Sequence, residues 1–363
     1  MVVDIINKII LMQCVGVETF KLYNCEMFES SIHKWLLWIS LSGVKSIYLN
    51  GRGTLMEVSE SPMEVSESIF SCVSLTSLSL KHFKLTKVPP AFQGFSRLVT
   101  CYLEYVELSE KAFDVILKLC HLLESLTVSE CKLPSSLRII SSSLKFLALV
   151  RLWGKICSID CPRLESIEII QCTNLVMENI CLPACVYLET DSPFRKHFTT
   201  AKSLKKITCF DYVDSTDLEI LQSFPHLEEL SIESALFVSY QMDAELTLQL
   251  PNLKTFILNI VSYDIVCDER DEKYDEAFML CSCILKASPL LQTVRINVDC
   301  SSEMLEPHGL DDAFQFINDF LNLAKDFPKS KILVSRSSNA FHAGSSNSTT
   351  TKFEDVYSEY CVV

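Results

Sequence analysis

The stretch Leu75-Thr76-Ser77-Leu78-Ser79-Leu80, with Leu85 after it, constrains this chain more than any other feature. It reads L-x-x-L-x-L, and variants of it return along the sequence. They are Leu98…Cys101…Leu103, Leu123…Leu126…Val128, Leu144…Leu147…Leu149 and Leu164…Ile167…Ile169. Further on come Leu204…Ile207…Cys209, Leu227…Leu230…Ile232, Leu253…Phe256…Leu258 and Leu291…Val294…Ile296. Upstream, Val17…Phe20…Leu22 and Val44…Ile47…Leu49 fit the same template. From Leu75 the starts lie 23, 25, 21, 20, 40, 23, 26 and 38 residues apart, and the 40-residue step leaves room for a degenerate copy near Val186. A period of this size with this pattern predicts an α/β leucine-rich-repeat solenoid. The second and third apolar positions are two apart, so on a strand they point to one side. One unit cannot bury that side alone, whereas a stack of units makes a continuous core. The expected shape is a curved horseshoe with a parallel sheet on its concave face and helices and loops on its convex face.

The chain of 363 residues is 48% hydrophobic, as expected where every strand feeds the core. No run reaches the roughly 18 apolar residues that span a bilayer. Asp4, Asn7 and Lys8 interrupt the apolar start, unlike a secretory signal. Seventeen cysteines, several at core positions such as Cys101 and Cys209, then read as reduced, packed thiols of a cytoplasmic or nuclear protein. With 32 basic and 46 acidic residues the formal charge is −14, against a nucleic-acid surface, which needs clustered cations. The expectation is therefore neither a nucleic-acid nor a membrane partner.

Three regions are expected: the solenoid over 1–336, an acidic loop inserted at 51–68, and a disordered Ser/Thr/Asn-rich tail over 337–363. The loop holds the tandem copies MEVSESP (Met56–Pro62) and MEVSESI (Met63–Ile69). A helix capped by Ser31 and ended by Gly43 is expected before the Val44 strand. Another is expected over Ala112–Leu119, with Phe113, Ile116 and Leu117 on one face. Residues 176–203 are weakly patterned, with a strand candidate at Val186–Thr190. Helices are expected at Asp275–Ala287 and Asp311–Lys325, the second with Phe314, Ile317, Leu321 and Ala324 in its stripe. A last strand is expected at Lys331–Val334.

The phrases Ser74–Leu80, Pro89–Leu98 and Leu119–Cys131 resemble the plant F-box/FBD/LRR-repeat proteins, with His121 where that family usually has proline. Asp275–Val298 and Phe327–Val334 resemble its last repeat and C-terminal strand, so 275–336 reads as an FBD-like capping region. The resemblance covers about residues 15–335. It implies the substrate-recognition arm of an SCF-type E3 ubiquitin ligase. No F-box phrase is read before Val17, so a Skp1/cullin connection is not expected from these residues themselves. An F-box-less relative that binds the same partners without a ligase stays open. A leucine-rich-repeat receptor fragment would need a signal peptide and an asparagine-bearing consensus, and neither is read.

Function is expected on the third, fifth, seventh and eighth residues of each unit, which face outward. Among these, Lys81, His82, Tyr102, Tyr105, Phe146, Arg151 and Phe210 are the candidate partner-binding residues, with Tyr102, Tyr105, Phe146 and Arg151 forming one patch. Aromatic side chains and arginine among short polar ones suit a protein-binding surface. The bland alternative is ordinary exposed strand residues. No catalytic residue, metal ligand or cofactor is assigned. There is no Gly-x-Ser-x-Gly, His-Glu-x-x-His or phosphate loop. The cysteine pairs 157/161, 181/185 and 281/283 lack the doubled C-x-x-C of a zinc site.

Overall fold

The structure, a computed structural model, describes residues 2–12, 16–51, 62–133, 137–172, 174–190, 198, 200–210, 215–235, 248–261, 270–299, 316–323, 325, 330–337 and 360–361. They fall into two units, Met1–Cys185 and Val186–Val363.

The strands of the first unit are, in chain order, β1 Thr19–Leu22, β2 Ser46–Asn50, β3 Met63–Glu64, β4 Ser77–Lys81, β5 Phe83–Leu85, β6 Thr100–Glu104, β7 Glu107–Leu108, β8 Ser125–Ser129, β9 Leu137–Ile140, β10 Phe146–Val150, β11 Trp153–Asp160, β12 Ser166–Ile170 and β13 Asn174–Cys181. One strand per repeat builds a large parallel sheet, β1-β2-β4-β6-β8-β10-β12. Its register follows the motif. Ile47, Leu78, Cys101, Leu126, Leu147 and Ile167 share one buried row, and Leu49, Leu80, Leu103, Val128, Leu149 and Ile169 the next.

The first leucine of the motif has a separate task. Its N–H closes a tight turn just before the strand, as in Leu75 to the Cys72 carbonyl (3.1 Å), Leu98 to Phe95 (3.1 Å) and Leu123 to Cys120 (3.0 Å). The next two N–H groups then share one carbonyl of the preceding repeat. Thr76 and Ser77 both donate to Lys45, and Glu124 and Ser125 both donate to Val99. That shared acceptor sets the register at which each coil enters the sheet.

The returns on the other side are less helical than expected. Helix α1 (Val2–Met12) meets α2 (Glu29–Leu41), where the Trp35 indole N–H donates to the Asn7 side-chain oxygen at 2.7 Å. Helix α2 follows a 3₁₀ turn at Cys25–Phe28 and has no side-chain cap, so Ser31 lies inside its first turn instead of starting it. Gly43 follows its C-cap Ser42 with φ +76, as a helix terminator should. Helix α3 (Glu110–Leu119) is capped by Ser109, whose Oγ accepts from the Ala112 N–H, and buries Phe113, Ile116 and Leu117. Elsewhere strands replace helices: β3, β5 and β7 form one small parallel sheet, and β9, β11 and β13 another.

The β11 strand carries an extra residue relative to β9 near Cys157. Its buried Ile156 and Ile159 therefore lie three apart, and Met177 and Ile180 of β13 follow the same offset. This spacing imitates a helix and hides the strands from a period-two reading. The expected loop at 51–68 is also partly ordered structure. Residues 52–61 lie outside the described residues. The second copy of the duplication supplies β3, buried Val65, and a 3₁₀ turn at Glu67–Ser71 capped by Ser66.

The second unit holds β14 Tyr187–Thr190, β15 Lys206–Phe210, β16 Glu229–Ala235, β17 Thr255–Val261, β18 Thr293–Asp299 and β19 Lys331–Ser337, parallel and in sequential register. The weak copy near Val186 is thus a strand, with Leu188 buried. Helix α4 (Ser215–Leu221) joins β15 to β16, and α5 (Arg270–Ala287) joins β17 to β18. Helix α5 starts earlier than expected and buries Cys281, Ile284 and Leu285, with Phe278 half-buried. In the helical stretch 316–323 the buried side chains are Phe316 and Phe320. The expected stripe was displaced: Ile317 and Leu321 are only half-buried, and Phe314 and Ala324 lie outside the described residues. Of the expected tail, 338–359 and 362–363 lie outside the described residues. Strand β20 (Tyr360–Cys361) pairs antiparallel with Val334 and Leu333. No described helix is long and apolar enough to cross a membrane.

Candidate protein-binding face

The large sheet of the first unit ends, repeat after repeat, in the same backbone device. The residue following β4, β6, β8, β10 and β12 takes the left-handed conformation: His82 (φ 60), Tyr105 (52), Glu130 (50), Arg151 (49) and Gln171 (54); near the end of β1, Asn24 (55) does the same. L-residues adopt this region at a cost of about 1–2 kcal/mol each. The ladder holds four of them there, because their N–H groups still bond the next strand's carbonyl. His82 donates to Glu104 at 3.0 Å, Tyr105 to Ser129 at 3.0 Å, Glu130 to Val150 at 2.9 Å and Arg151 to Ile170 at 2.8 Å. The left-handed turn sends the next residue back into the core, so Phe83, Val106, Cys131, Leu152 and Cys172 are buried. The turn residues themselves line up along the carboxyl edge of the sheet.

From His82 to Gln171 their side chains form one connected row. The His82 and Tyr105 rings stack at 4.6 Å and 9°. The Tyr105 hydroxyl bonds Glu130, and the Arg151 guanidinium pairs with Glu130 at 2.9 Å and donates through Nε to Gln171. Partial desolvation, then the Glu130 bond, push the Tyr105 phenol up to about 12. Lys81 ties this row to the strand residues. Its Nζ lies 2.6 Å from Glu104 Oε1 and 5.8 Å from the Tyr105 ring centre, and the Tyr102 hydroxyl donates to Glu104 Oε2 at 2.9 Å. Ammonium-to-ring contacts of this kind are weakly attractive at exposed sites.

Five of the seven expected residues, Lys81, His82, Tyr102, Tyr105 and Arg151, therefore meet in one network. Phe146 does not join it. Its register partners are Ser125 and Ser166 at the amino end of the strands, five residues before Arg151 on its own chain. That separation is about 16 Å along a strand. Phe210 ends β15 in the second unit, and its side chain lies outside the described residues.

The structure adds residues that motif reading did not single out. Tyr48 of β2 lies in the same row as Ser79 and Tyr102, and Tyr23 packs on it at 5.1 Å. Burial first, then Tyr23 and Glu104, raise the Tyr48 phenol. The signal was in the sequence: Tyr48 sits between the apolar residues Ile47 and Leu49 of the second copy, as Tyr102 does in the fourth. Gln171 and Glu130 were on the outward positions but outside the chosen patch.

Cysteines serve the scaffold. Cys131 donates to the Ser129 carbonyl at 3.2 Å and accepts from the Val106 N–H at 3.4 Å; Cys172 likewise donates to Ile170 and accepts from Leu152. Both stand just after the left-handed residue, where the thiol stitches adjacent coils. Burial pushes the Cys131 thiol up to about 12. The contact of His33 with Ser66 and Ser68 holds a turn against α2; Ser68 is buried and Ser66 caps that turn. No group of three His, Cys, Asp or Glu able to hold a metal occurs among the described residues.

Residues 32–186 match the family model described as FBD-associated F-box protein At5g56370, LRR repeats. No curated protein matches the chain significantly. The match covers the regular repeats that carry the tyrosine network from Tyr48 to Gln171. Over 32–186 this chain is similar to the leucine-rich repeats of the FBD-associated F-box proteins.

Proposed function

We propose that this chain is a non-catalytic recognition module, the substrate-recognition arm of an SCF-type ubiquitin ligase, and that it holds a target protein on the outward face of the large sheet in its first unit. The observation carrying this reading is the cluster of Tyr23, Tyr48, Tyr102, Tyr105, His82, Lys81 and Arg151 on that face. Tyrosine and arginine are the side chains that dominate binding energy at protein interfaces. Their positions are fixed by backbone ladders, so little ordering entropy is lost on binding. The cysteines among the described residues are free thiols, which supports a reducing compartment, the cytoplasm or nucleus.

The test is capture of partners from a plant extract by the full chain and by the Tyr102→Ala/Tyr105→Ala double variant. The expected result is loss of captured partner in the variant with its melting temperature held. Unchanged capture overturns the reading. Skp1 co-precipitation with the full chain supports the ligase assignment; target capture without Skp1 removes that assignment and leaves recognition alone.

A further inference from the structure

We infer that the tyrosine-bearing face takes a proline-rich segment in the polyproline II conformation, laid across the strands of the first unit. This rests on the recognition reading above and names the partner's chemistry. The row Lys21–Tyr48–Ser79–Tyr102–Thr127 runs perpendicular to strands β1, β2, β4, β6 and β8. Tyr48 and Tyr102 are separated by one intervening strand, which puts their backbones about 9.6 Å apart. Ser79 between them is small, so the two tyrosines stand as walls with a notch between. Tyr23 thickens the first wall, packing on Tyr48. His82 and Tyr105, stacked, extend the second toward the carboxyl edge. A polyproline II helix advances about 9.3 Å in three residues. Prolines spaced by three thus meet one wall each, in register with the sheet.

The polar groups fit the same ligand. Glu104 is satisfied by Lys81 and Tyr102, and Glu130 by Arg151 and Tyr105. With the acids paired in place, a cationic peptide gains little. The Tyr23 and Tyr48 hydroxyls and the remaining N–H groups of the Lys81 ammonium offer donors, and a polyproline II segment has unpaired backbone carbonyls and no internal hydrogen bonds. An apolar helix finds no aliphatic groove, because the row between the tyrosines is Ser79 and its flanks are Lys21 and Thr127. Aromatic walls around a prestiffened proline segment are a recurring recognition mode, because such a ligand loses little entropy.

The experiment is fluorescence anisotropy of the full chain with a labelled peptide of Pro-Pro-Ala repeats and its all-alanine counterpart. The expected result is saturable binding of the proline peptide alone, weakened about 30-fold in Tyr48→Ala and in Tyr102→Ala, the loss typical of an interface anchor. Phe146→Ala, on the same sheet but away from the row, keeps full affinity. Thermal melting of each variant separates lost binding from lost folding, and Tyr48→Phe, which keeps the ring, retains at least partial binding. Equal binding of both peptides, no binding, or indifference to Tyr48 and Tyr102 overturns the inference. So does a dimer in solution that Tyr48→Ala splits, since a second copy then covers the face. Capture of partners that depends on Tyr102 and Tyr105, with no proline-peptide binding, overturns this inference and leaves the recognition reading standing. Capture indifferent to both tyrosines overturns that reading itself.

Discussion

Leu122 and Leu123 are neighbours in sequence, yet one is 54% exposed and the other fully buried. Leu123 closes the turn onto Cys120 and drives its side chain into the core. Replacing it with alanine deletes buried methylenes and leaves a cavity, at a cost of about 2–5 kcal/mol. The unit containing it runs from Met1 to Cys185, a size at which each kcal/mol moves the melting point by about 2–4 °C. Taking about 3 kcal/mol, Leu123→Ala lowers the melting temperature by about 6–12 °C. Leu122→Ala, on the surface, changes stability by no more than about 0.5 kcal/mol, or about 1–2 °C. Differential scanning calorimetry of the two single variants measures both. Equal shifts, or the larger shift at Leu122, refute the assigned register, because a one-residue slip exchanges the inside and outside of a strand.

Three further outcomes are expected. Alkylation of the native protein followed by peptide mapping modifies Cys181, which is exposed, and spares Cys25, Cys72, Cys131 and Cys281, whose thiols burial pushes up to about 12; early labelling of Cys131 would sink that assignment. Gly94→Ala destabilises by about 2 kcal/mol or more in urea unfolding. Its φ is +94 and the added Cβ would lie 2.3 Å from the Leu119 carbonyl oxygen; a change within error contradicts the packing. In an ultraviolet pH titration, the difference between the native chain and Tyr105→Phe shows a phenol ionising near 12, above its ordinary 10. Because the folded value is raised, the stabilisation is complete below about pH 10. It is lost as pH climbs through the folded value of about 12. A normal titration of Tyr105 counts against its bond to Glu130.

The repeat core was readable from leucine spacing alone, since Leu78 and Leu80 have to share a side wherever a strand forms. Helix α3 was equally legible from Phe113, Ile116 and Leu117 at helical spacing, although it starts two residues earlier than expected, at Glu110 after the Ser109 cap. Strands β11 and β13 were not, because the bulge near Cys157 puts their buried residues three apart and breaks the alternation on which strand recognition depends. Helix α2 shows the limit of capping rules: it follows a 3₁₀ turn and needs no side-chain cap, so Ser31 misled. At the candidate face, the template placed Tyr102 and Tyr105 correctly on the outside. It could not show that Phe146 and Arg151 occupy opposite ends of β10. Nor could it reveal the left-handed residues, which depend on the ladder bonds of the neighbouring coil and not on glycine. Tyr48 escaped because the template fixes only its apolar flanks, Ile47 and Leu49, and leaves the outward residue between them unspecified.

The claim that matters most is that this chain works through the outward face of its large sheet. Photo-crosslinking reads that directly, with a benzophenone amino acid placed at Ser79 on that face or at Val176, 52% exposed on β13 of the small sheet. In plant extract the account predicts a defined partner adduct from Ser79 and none from Val176. Adducts from Val176 alone contradict it.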